Sequence, residues 1–440
     1  MTAKGRATRE RILQSAAELA LAGGLSELSL DNVRRSASVS GSQLSSYFPD
    51  KQALIRAVVE RQIEVVLNFH RQPKLGGLET YEDFERWIDL NLRYLRHIGF
   101  HRTPTYHALA GQLVKSDDET RRTLAAGYAR WIDLLEQSFQ RMKDRGVLVS
   151  RAEPRRLALV VVTGHQGAAT LAFTYRQEWP LADTLRFVVN YLRLFATEPA
   201  QRVARRPRRP RDRHPPEASG GVASEGFTQK GLATRARIVD GAADLMFEQG
   251  VSGITLNDVR SAIGVSGSQL SHYFADKRDL TRQVIAARTE EIVAINSQPQ
   301  LGGLDSWRSL EAWGDASVAQ VPAVYLRGGC TYGSLAGELL EADSEILDDL
   351  ASGYERWLKL IQDGLAAMRR RGELSAAADP RHLAVALLAA HQGGSLLTFA
   401  TESAEPFGVA VHAAIDYVGS FRPAPKKRTS RSVSRPKTTR

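Results

Sequence analysis

The chain contains two copies of one long unit, and this repeat constrains the fold more than any other feature of the sequence. Residues 226 positions apart match again and again, without a shift of register, over about 190 residues. The matches include Pro73 with Pro299, Trp131 with Trp357, His165-Gln166-Gly167 with His391-Gln392-Gly393, and Tyr191 with Tyr417. A duplication of this length copies a whole folding unit, so the two halves are predicted to share one fold.

The strongest match between the copies lies at residues 30–48 and 256–274. The first stretch reads LDNVRRSASVSGSQLSSYF and the second LNDVRSAIGVSGSQLSHYF. Apolar residues stand where two short helices would pack together, and a serine stands where the second helix needs an N-cap. These positions are Val33, Leu44 and Ser40 in the first copy, and Val259, Leu270 and Ser266 in the second. Each stretch therefore predicts a helix-turn-helix.

The flanking residues extend the pattern. An amphipathic helix is predicted at residues 8–22, before the first motif, and Lys51 or Lys277 opens another helix after each motif. The pattern T-R-x-R-I-(L/V)…S-G-S-Q-L-S-x-Y-F-x-D-K-x-x-L resembles the N-terminal DNA-binding domain of the TetR family of bacterial transcriptional regulators. Some fifty consecutive residues fit it twice. The resemblance implies an all-α protein of two TetR-like units. Each has an N-terminal three-helix helix-turn-helix domain and a helical ligand-binding and dimerisation domain.

The motif departs from the family pattern at three positions. One is on its first helix, where Arg34 and Arg260 stand in place of the commoner small residue. The family usually has Tyr after the recognition-helix Leu, where its hydroxyl reaches a phosphate, whereas this chain has Ser45 and Ser271. The family favours Gly in the turn. The second copy keeps Gly264, but the first has Ser38, at an expected cost of roughly 1 kcal/mol for a left-handed conformation.

Polar side chains on the second helix of each motif are the candidate DNA readers. Gln43 and its counterpart can pair with adenine through two hydrogen bonds, and the serines can bond to base edges or phosphates. Basic residues beside the motif are candidate phosphate clamps, a role that the resemblance assigns to Lys51 and Lys277. The predicted DNA-contacting residues are Arg9, Ser40, Gly41, Ser42, Gln43, Ser45, Ser46, Tyr47 and Lys51, with Arg235, Ser266, Gly267, Ser268, Gln269, Ser271, His272, Tyr273 and Lys277. Because the reading helices differ at one position, Ser46 against His272, the predicted operator is nearly palindromic.

Apolar periodicity predicts that the first unit continues as helices. They span residues 51–72, 81–98, 104–115, 117–145, 154–177 and 180–196, and no alternating strand pattern appears. The predicted DNA-binding domains are residues 6–66 and 231–291, and the ligand-binding and dimerisation domains are residues 67–197 and 292–421. A disordered basic linker is predicted at residues 198–227 and a disordered basic tail at residues 422–440.

The basic excess of the chain belongs to that linker and that tail. Residues 198–217 carry a net charge of +4 and residues 422–440 carry +8, so about −2 of the total of +10 is left for the rest. Segments rich in Pro, Arg and Ser cannot build a core. They attract phosphate without reading sequence, or they act as solubilising arms.

Several function classes are disfavoured by the sequence. The single cysteine, Cys330, cannot form an intrachain disulfide and suits a reducing cytoplasm. The N-terminus is charged and resembles no signal peptide, and the apolar run at 157–173 is too short and interrupted to span a membrane comfortably. No metal-ligand spacing, phosphate-cradling loop or catalytic set is recognisable, so we expect no enzyme, no metal and no cofactor.

A small-molecule effector is expected because TetR-like regulators are released from DNA by ligands. The candidate pocket residues are aromatic or polar-tipped: Trp87, Tyr94, Tyr106, Trp131 and His165, with Trp313, Tyr332, Trp357 and His391. The competing interpretation places these residues in the core. The second copy reads RGGCTYGSLAGEL at 327–339, and the first copy has drifted at the corresponding positions. This divergence predicts that the two halves no longer sense the same molecule.

The resemblance also implies dimerisation through the last two helices of each unit, which form a four-helix bundle. Here the apolar segments 157–173 and 383–399 can form that bundle within one chain. A linker of about 30 residues has a root-mean-square reach of ~30 Å and permits this pairing. We expect a covalent pseudo-dimer acting as a ligand-released repressor, with a homodimer of tandem chains as the competing state. The alternative function is a non-specific architectural or ligand-sequestering DNA-binding protein.

Overall fold

The computed structural model describes residues 2–100, 105–206 and 228–423. Within these residues the chain is helical, and no strand forms apart from one isolated bridge between Leu148 and Ala196. The helices of the first half are α1 (Ala3–Glu27), α2 (Leu30–Ser36), α3 (Gly41–Tyr47), α4 (Lys51–His70), α5 (Tyr81–Ile98), α6 (Tyr106–Leu113), α7 (Asp118–Asp144), α8 (Pro154–Tyr175) and α9 (Trp179–Arg193). The all-α prediction is confirmed.

The second half repeats this order. Its helices are α10 (Gln229–Gln249), α11 (Leu256–Ile263), α12 (Gly267–Tyr273), α13 (Lys277–Asn296), α14 (Trp307–Ala319), α15 (Thr331–Glu338), α16 (Ser344–Arg370), α17 (Pro380–Thr401) and α18 (Glu405–Gly419). A π-helical turn, Val321–Tyr325, and a short helical turn, Leu326–Gly328, connect α14 to α15. We call α1–α3 the first head and α10–α12 the second head.

Side-chain caps set many of the helix starts. Asp50 accepts a hydrogen bond from the amide of Ala53 at the start of α4, and Thr80 closes a capping box at the start of α5. α5 has the predicted bounds. α6 starts at Tyr106 rather than at 104, because Thr105 caps it, and residues 101–104 lie outside the described part of the chain.

Each head has the packing that its sequence predicts. Val33 and Leu44 are buried between α2 and α3, as Val259 and Leu270 are between α11 and α12. The turn residue is left-handed in both heads, with φ of 50° at Ser38 in the first and 68° at its glycine counterpart in the second. The serine of the first head therefore adopts the conformation that favours glycine.

The two halves pack against each other through α8, α9, α17 and α18. α8 crosses α17 at the repeated glycines, where a Cβ atom on Gly167 would overlap the Ala389 carbonyl and one on Gly393 would overlap the Thr163 carbonyl. α8 and α17 are each long and apolar enough to cross a bilayer, but 94% of each apolar window is buried inside the protein. The apolar faces of both helices are therefore used by this packing.

The structure differs from the prediction at the start of the linker. Residues 199–202 form a short 3-10 helix, and Asn190 both donates to the Arg205 carbonyl and accepts from the Arg205 amide, at 2.8 and 2.9 Å. The Arg205 guanidinium also lies 3.4 Å from Glu85. The first residues of the basic segment thus pack on the first half, because Asn190 and Glu85 bind Arg205 there. Residues 207–227 and 424–440 lie outside the described residues.

Candidate DNA-binding surface and effector cavity

The two reading helices, α3 and α12, begin with the same capping box. Ser40 Oγ accepts from the Gln43 amide at 3.1 Å, and Gln43 Oε1 accepts from the Ser40 amide at 3.1 Å. Ser266 and Gln269 repeat this arrangement at 3.1 and 3.0 Å. The glutamine oxygens are therefore occupied by the helix cap. Each oxygen keeps a second lone pair, so a two-bond pairing with adenine would use that lone pair together with the amide nitrogen.

The serines of the reading helices present their oxygens to solvent. Ser45 Oγ donates to the Gly41 carbonyl at 2.9 Å, and Ser46 Oγ donates to the Gln43 carbonyl at 2.7 Å. Since the protons point back to the helix, the oxygen lone pairs remain available to amino groups on base edges. The exposed members of the predicted set on these helices are Ser40, Gly41, Ser42, Gln43, Ser45 and Ser46, with Ser266, Gly267, Ser268, Gln269, Ser271 and His272. Tyr47 and Tyr273 are half-buried.

The basic residues beside the motifs divide into two kinds. The Arg9 guanidinium lies over the Phe48 ring at 5.3 Å, and that of Arg235 over the Phe274 ring at 5.8 Å, so both are half-buried along the head. Lys51 is exposed.

Lys277 does not match its counterpart Lys51. It is half-buried and donates to the Ile254 carbonyl at 2.6 Å. Burial lowers the pKa of Lys277, while the carboxylates of Asp258 and Glu338 act in the opposite direction. The ammonium group holds the loop before α11, so the two predicted clamps are not equivalent.

A mainly apolar cavity of about 100 Å³ lies in the first half between α4, α5, α6, α7, α8 and α9. Four of the five residues predicted for a pocket there line it: Tyr94, Tyr106, Trp131 and His165. Trp87 is fully buried behind the wall and donates to His70 at 3.1 Å. Tyr94 is 41% exposed and Val65 is 45% exposed, so these two residues mark the mouth of the cavity.

The polar atoms of the cavity wall are nearly all paired. His70 Nδ1 donates to the Val66 carbonyl at 2.8 Å, and its Nε2 accepts from Trp131 at 3.3 Å as well as from Trp87. His107 donates from Nδ1 to Gln166 at 2.8 Å. Burial lowers the pKa of His70 and of His107 to about 4, so both rings are neutral near pH 7.

His165 is the exception on this wall. Asn91 donates its amide to the Trp87 carbonyl at 2.8 Å, which turns its Oδ1 toward His165 Nε2 at 3.0 Å. The nitrogen facing Oδ1 must carry the proton, so Nδ1 is left with a lone pair. Within the described residues, buried Nδ1 has no hydrogen-bond partner. Burial, with smaller contributions from His70 and His107, lowers the pKa of His165 to about 3.

The corresponding space in the second half is filled by aromatic rings. Tyr325 stacks on Phe407 with ring centroids 4.2 Å apart, and its hydroxyl lies 2.9 Å from His391 Nε2. Their counterparts in the first half are Gly99 and Leu181. The other residues predicted for a pocket in this half are packed: Trp313 donates to Asn296 at 2.9 Å, Tyr332 donates to the Leu350 carbonyl at 2.8 Å, and Trp357 is buried.

A buried ion pair joins the first half to the second head. The Lys115 ammonium, two residues beyond α6, lies 2.8 Å from Glu338 at the end of α15, and their side chains are 4% and 6% exposed. Lys115 also donates to the Met246 carbonyl at 3.2 Å, and Glu338 accepts from the Val251 amide at 2.5 Å. The pair thus holds the C-terminal end of α10. The counterparts, Glu341 for Lys115 and Gln112 for Glu338, do not repeat it.

Sequence reasoning missed this ion pair and the filled second pocket. Both involve residues that differ between the copies: Lys115 against Glu341, and Gly99 against Tyr325. The sequence features that could have revealed them are therefore the positions at which the two copies differ, not those at which they match.

Three family models match the chain. The one described as bacterial regulatory proteins, tetR family, matches residues 12–58 and again residues 238–284. The one described as transcriptional regulator LmrA/YxaF-like, C-terminal domain, matches residues 80–186. The one described as tetracyclin repressor-like, C-terminal domain, matches residues 307–414. Each half therefore carries the same order of an N-terminal and a C-terminal regulator domain.

Individual proteins are similar over one unit or less. The HTH-type transcriptional regulator SrpR of Pseudomonas putida is 27% identical over 142 residues, which are 32% of this chain and 63% of that protein, less than two thirds of its length. The transcriptional regulator AcuR of Cereibacter sphaeroides is 25% identical over 201 residues, 46% of this chain and 86% of that protein. Among solved structures, regulatory protein TetR from Rhodobacter sphaeroides is 21% identical and covers 42% of this chain and 98% of its own, with a TM-score of 0.39. A TetR transcriptional regulator from Chloroflexus aurantiacus is 22% identical and covers 44% and 98%, with a TM-score of 0.39.

Proposed function

The chain belongs to the TetR family of bacterial transcriptional regulators through both of its halves, and from this premise we propose that it is a repressor released from its operator by a small effector. TetR-family regulators bind DNA operators and small-molecule effectors and usually dimerise. In this chain one polypeptide supplies both heads and both dimerisation surfaces. The proposed working unit is therefore a single-chain pseudo-dimer on a near-palindromic operator.

The observation that carries the proposal is the packing of α8 and α9 against α17 and α18 within one chain. The close crossing at Gly167 and Gly393 buries the apolar faces that a separate protomer would otherwise cover. A tethered partner is present at millimolar effective concentration, so it outcompetes a second chain of ordinary affinity. A homodimer of tandem chains is the competing state.

Recognition of the operator rests on the exposed faces of α3 and α12. Their serine oxygens accept hydrogen bonds from base amino groups. Gln43 and Gln269 hold the helix start and keep a second oxygen lone pair and the amide nitrogen for base reading. Space in front of Gly41 and Gly267 is open, so internal packing does not require glycine there. A close approach of the DNA backbone does account for it.

The effector acts on both heads from one cavity. The wall includes Val66 and His70 of α4, the helix that follows the first reading helix, and Tyr106 and His107 of α6. α6 ends close to Lys115, which binds Glu338 and the Met246 carbonyl of α10 in the second head. A ligand that shifts α4 and α6 together changes the placement of the two heads, provided that it binds the DNA-free state more tightly.

The same proposal makes the protein a cytoplasmic regulator rather than an enzyme. Its partners are the double-stranded operator and the effector, and the arrangement we describe requires no cofactor, no metal and no membrane. Cys330 is buried, and burial raises the pKa of its thiol, which disfavours the reactive thiolate.

Selection from a library of random duplexes tests the function. We expect an enriched inverted repeat for the wild-type chain. Ser45→Ala with Ser271→Ala should lower the preference for that repeat at least tenfold, because the serine oxygens are lost while the helix caps stay intact. Gln140→Ala, an exposed change on α7, is the matched control and should select the same repeat.

A second double variant sharpens the result. Gln43→Ala with Gln269→Ala removes the caps and any glutamine readout together, and should cost more than the serine changes. If no sequence is enriched, and binding disappears with salt for every variant alike, the heads bind only phosphate. The non-specific architectural or ligand-sequestering function would then replace the repressor.

A further inference from the structure

The two halves treat the space around their repeated histidines in opposite ways. His165 lines an open cavity in the first half, whereas His391 lies under Tyr325 and Phe407 in the second. Tyr325 is 8% exposed, Phe407 is fully buried and His391 is 4% exposed. The space beside His391 is thus occupied by the chain itself.

We propose that only the first half is an effector receptor, and that it takes one small uncharged molecule with an aromatic or apolar body and one hydrogen-bond donor. The inference rests on the proposed function in treating the cavity as the effector site. It adds a stoichiometry of one effector per chain and a chemical class.

The charge of the wall sets the first part of that class. No lysine, arginine, aspartate or glutamate lines the cavity within the described residues. Its histidines are held neutral by burial. A charged ligand would lose its hydration without gaining a partner, which should weaken its binding at least tenfold relative to a neutral one. Neutral molecules are therefore selected.

The hydrogen-bonding pattern sets the second part. Asn91 fixes the tautomer of His165, so the unpartnered Nδ1 accepts and cannot donate. His165 lines the cavity, so a ligand that displaces the groups covering Nδ1 can satisfy this buried acceptor with a hydroxyl or N–H, whereas a purely apolar ligand leaves it unpaired. One net hydrogen bond contributes about 1 kcal/mol, or roughly a fivefold to tenfold difference in affinity.

The size and lining of the cavity set the third part. Aromatic side chains line it, among them Phe69, Trp131 and Phe173, and its volume is about 100 Å³. An engineered apolar cavity of about 150 Å³ holds benzene. A single-ring compound therefore suits the cavity after a small outward movement at its mouth, beside Tyr94 and Val65.

In the second half, the side chains of Tyr325 and Phe407 fill the space that corresponds to this cavity. Tyr325 places a phenol ring against Phe407, and its oxygen replaces the Asn91 oxygen as partner of the histidine, since the counterpart of Asn91 is Ser317. The remaining His391 nitrogen lies 3.3 Å from the Gln392 amide. No acceptor on His391 is left for a ligand.

Crystals of the full chain soaked with 4-bromophenol test the inference, since the anomalous signal of bromine locates the bound molecule. We expect bromine beside His165 and none beside His391. Leu181→Phe, which copies the residue of the second half, should remove the bound molecule. Tyr325→Ala should add a second one beside His391.

Bromine at both histidines of the wild-type chain, at His391 alone, or at neither would overturn the inference. A titration of the full chain supplies the chemical class: phenol should bind roughly fivefold to tenfold more tightly than toluene, and benzoate should bind at least tenfold more weakly than phenol. Equal affinities for the three would refute the class. The soak is measured without DNA, so an empty cavity would refute the receptor inference without contradicting the repressor function. A failed operator selection would refute the repressor function without contradicting the occupancy of the cavity.

Discussion

The two halves share one backbone and differ in what they bury. The first half places His70, His107 and His165 around an open cavity, where the second has Asn296, Gly333 and His391 around aromatic rings. Lys115 of the first half forms a buried ion pair with Glu338 of the second half. The second half has Glu341 at the position of Lys115 and forms no equivalent pair. The two halves thus keep one framework and differ in their buried polar groups, and the proposed receptor role of the first half rests on this difference.

The largest expected difference between the halves is their response to acid. The buried histidines have pKa values of about 4, 4 and 3 in the first half, and His391 has a value of about 3 in the second, in each case because burial disfavours the charged ring. The folded pKa lies below the unfolded value of about 6.5, so unfolding takes up protons as the pH falls. The stability that each neutral histidine contributes is fully present above pH 6.5 and is lost as the pH falls from about 6.5 toward 4.

At pH 5 each of these four histidines should cost roughly 2 kcal/mol, on the order of 6 kcal/mol for His70, His107 and His165 together against 2 for His391. His382 is the other buried histidine of the second half and contributes separately. Hydrogen exchange of the two halves, corrected for the intrinsic effect of pH, measures this difference. His70→Asn copies the residue of the second half, where Asn296 accepts from Trp313, and should remove about half of the excess. Equal losses in both halves would contradict the account.

The next largest effect is expected at the buried ion pair. Lys115→Met leaves the Glu338 carboxylate buried without its cation, which costs about 3–5 kcal/mol. Exchange should accelerate at residues 246–251 of the second half and stay unchanged at residues 20–25 of the first. Glu341→Gln, at the exposed counterpart of Lys115, is the matched control.

Glu338→Gln in the Lys115→Met background should restore most of the protection, since the amide oxygen can still accept from the Val251 amide without carrying a charge. Equal acceleration of exchange at residues 20–25 and at residues 246–251 in Lys115→Met would contradict a role of the ion pair in holding the second head alone.

A smaller effect, of about 1 kcal/mol, is expected at the turns of the heads. Ser38→Gly should stabilise the first head, because Ser38 has a left-handed φ of 50°, and Gly264→Ser should destabilise the second by a similar amount. The free energy of opening of each head, from hydrogen exchange, gives both values. Each variant gives both heads the same turn residue, so each should bring the two heads closer in stability.

The smallest effect concerns the two lysines. Lys51→Ala should weaken binding to every duplex by a similar factor and reduce the slope of log affinity against log salt by about 0.9, the value for one phosphate contact. Lys277→Ala should leave the slope unchanged, because its ammonium group already bonds to the Ile254 carbonyl. Equal reductions of the slope would show that Lys277 leaves that carbonyl in the complex.

The fold was largely predictable, because the repeat, the apolar periodicity and the caps act locally. The bounds of α5, the left-handed turn at Ser38 and the burial of Leu44 agree with the sequence pattern. The candidate site was predictable in part. Aromatic spacing indicated Trp131 and His165, but it could not distinguish a cavity wall from core, which is decided by Gly99 and Leu181 in one half and Tyr325 and Phe407 in the other.

Contacts between the halves could not be predicted from either copy alone. Lys115 and Glu338 lie 223 positions apart in the chain and meet only when α6 packs beside α15. Gln43 illustrates another limit, since its residue type suits base reading and helix capping equally well and the free protein uses it for the cap.

The most direct test of the central claim is the mass of the complex between the chain and its selected inverted repeat, measured by native mass spectrometry at low protein concentration. A pseudo-dimer predicts one chain per duplex, with both half-sites protected from cleavage by that single chain. Two chains per duplex, with no stable complex of one chain, would contradict the account and establish the homodimer of tandem chains instead.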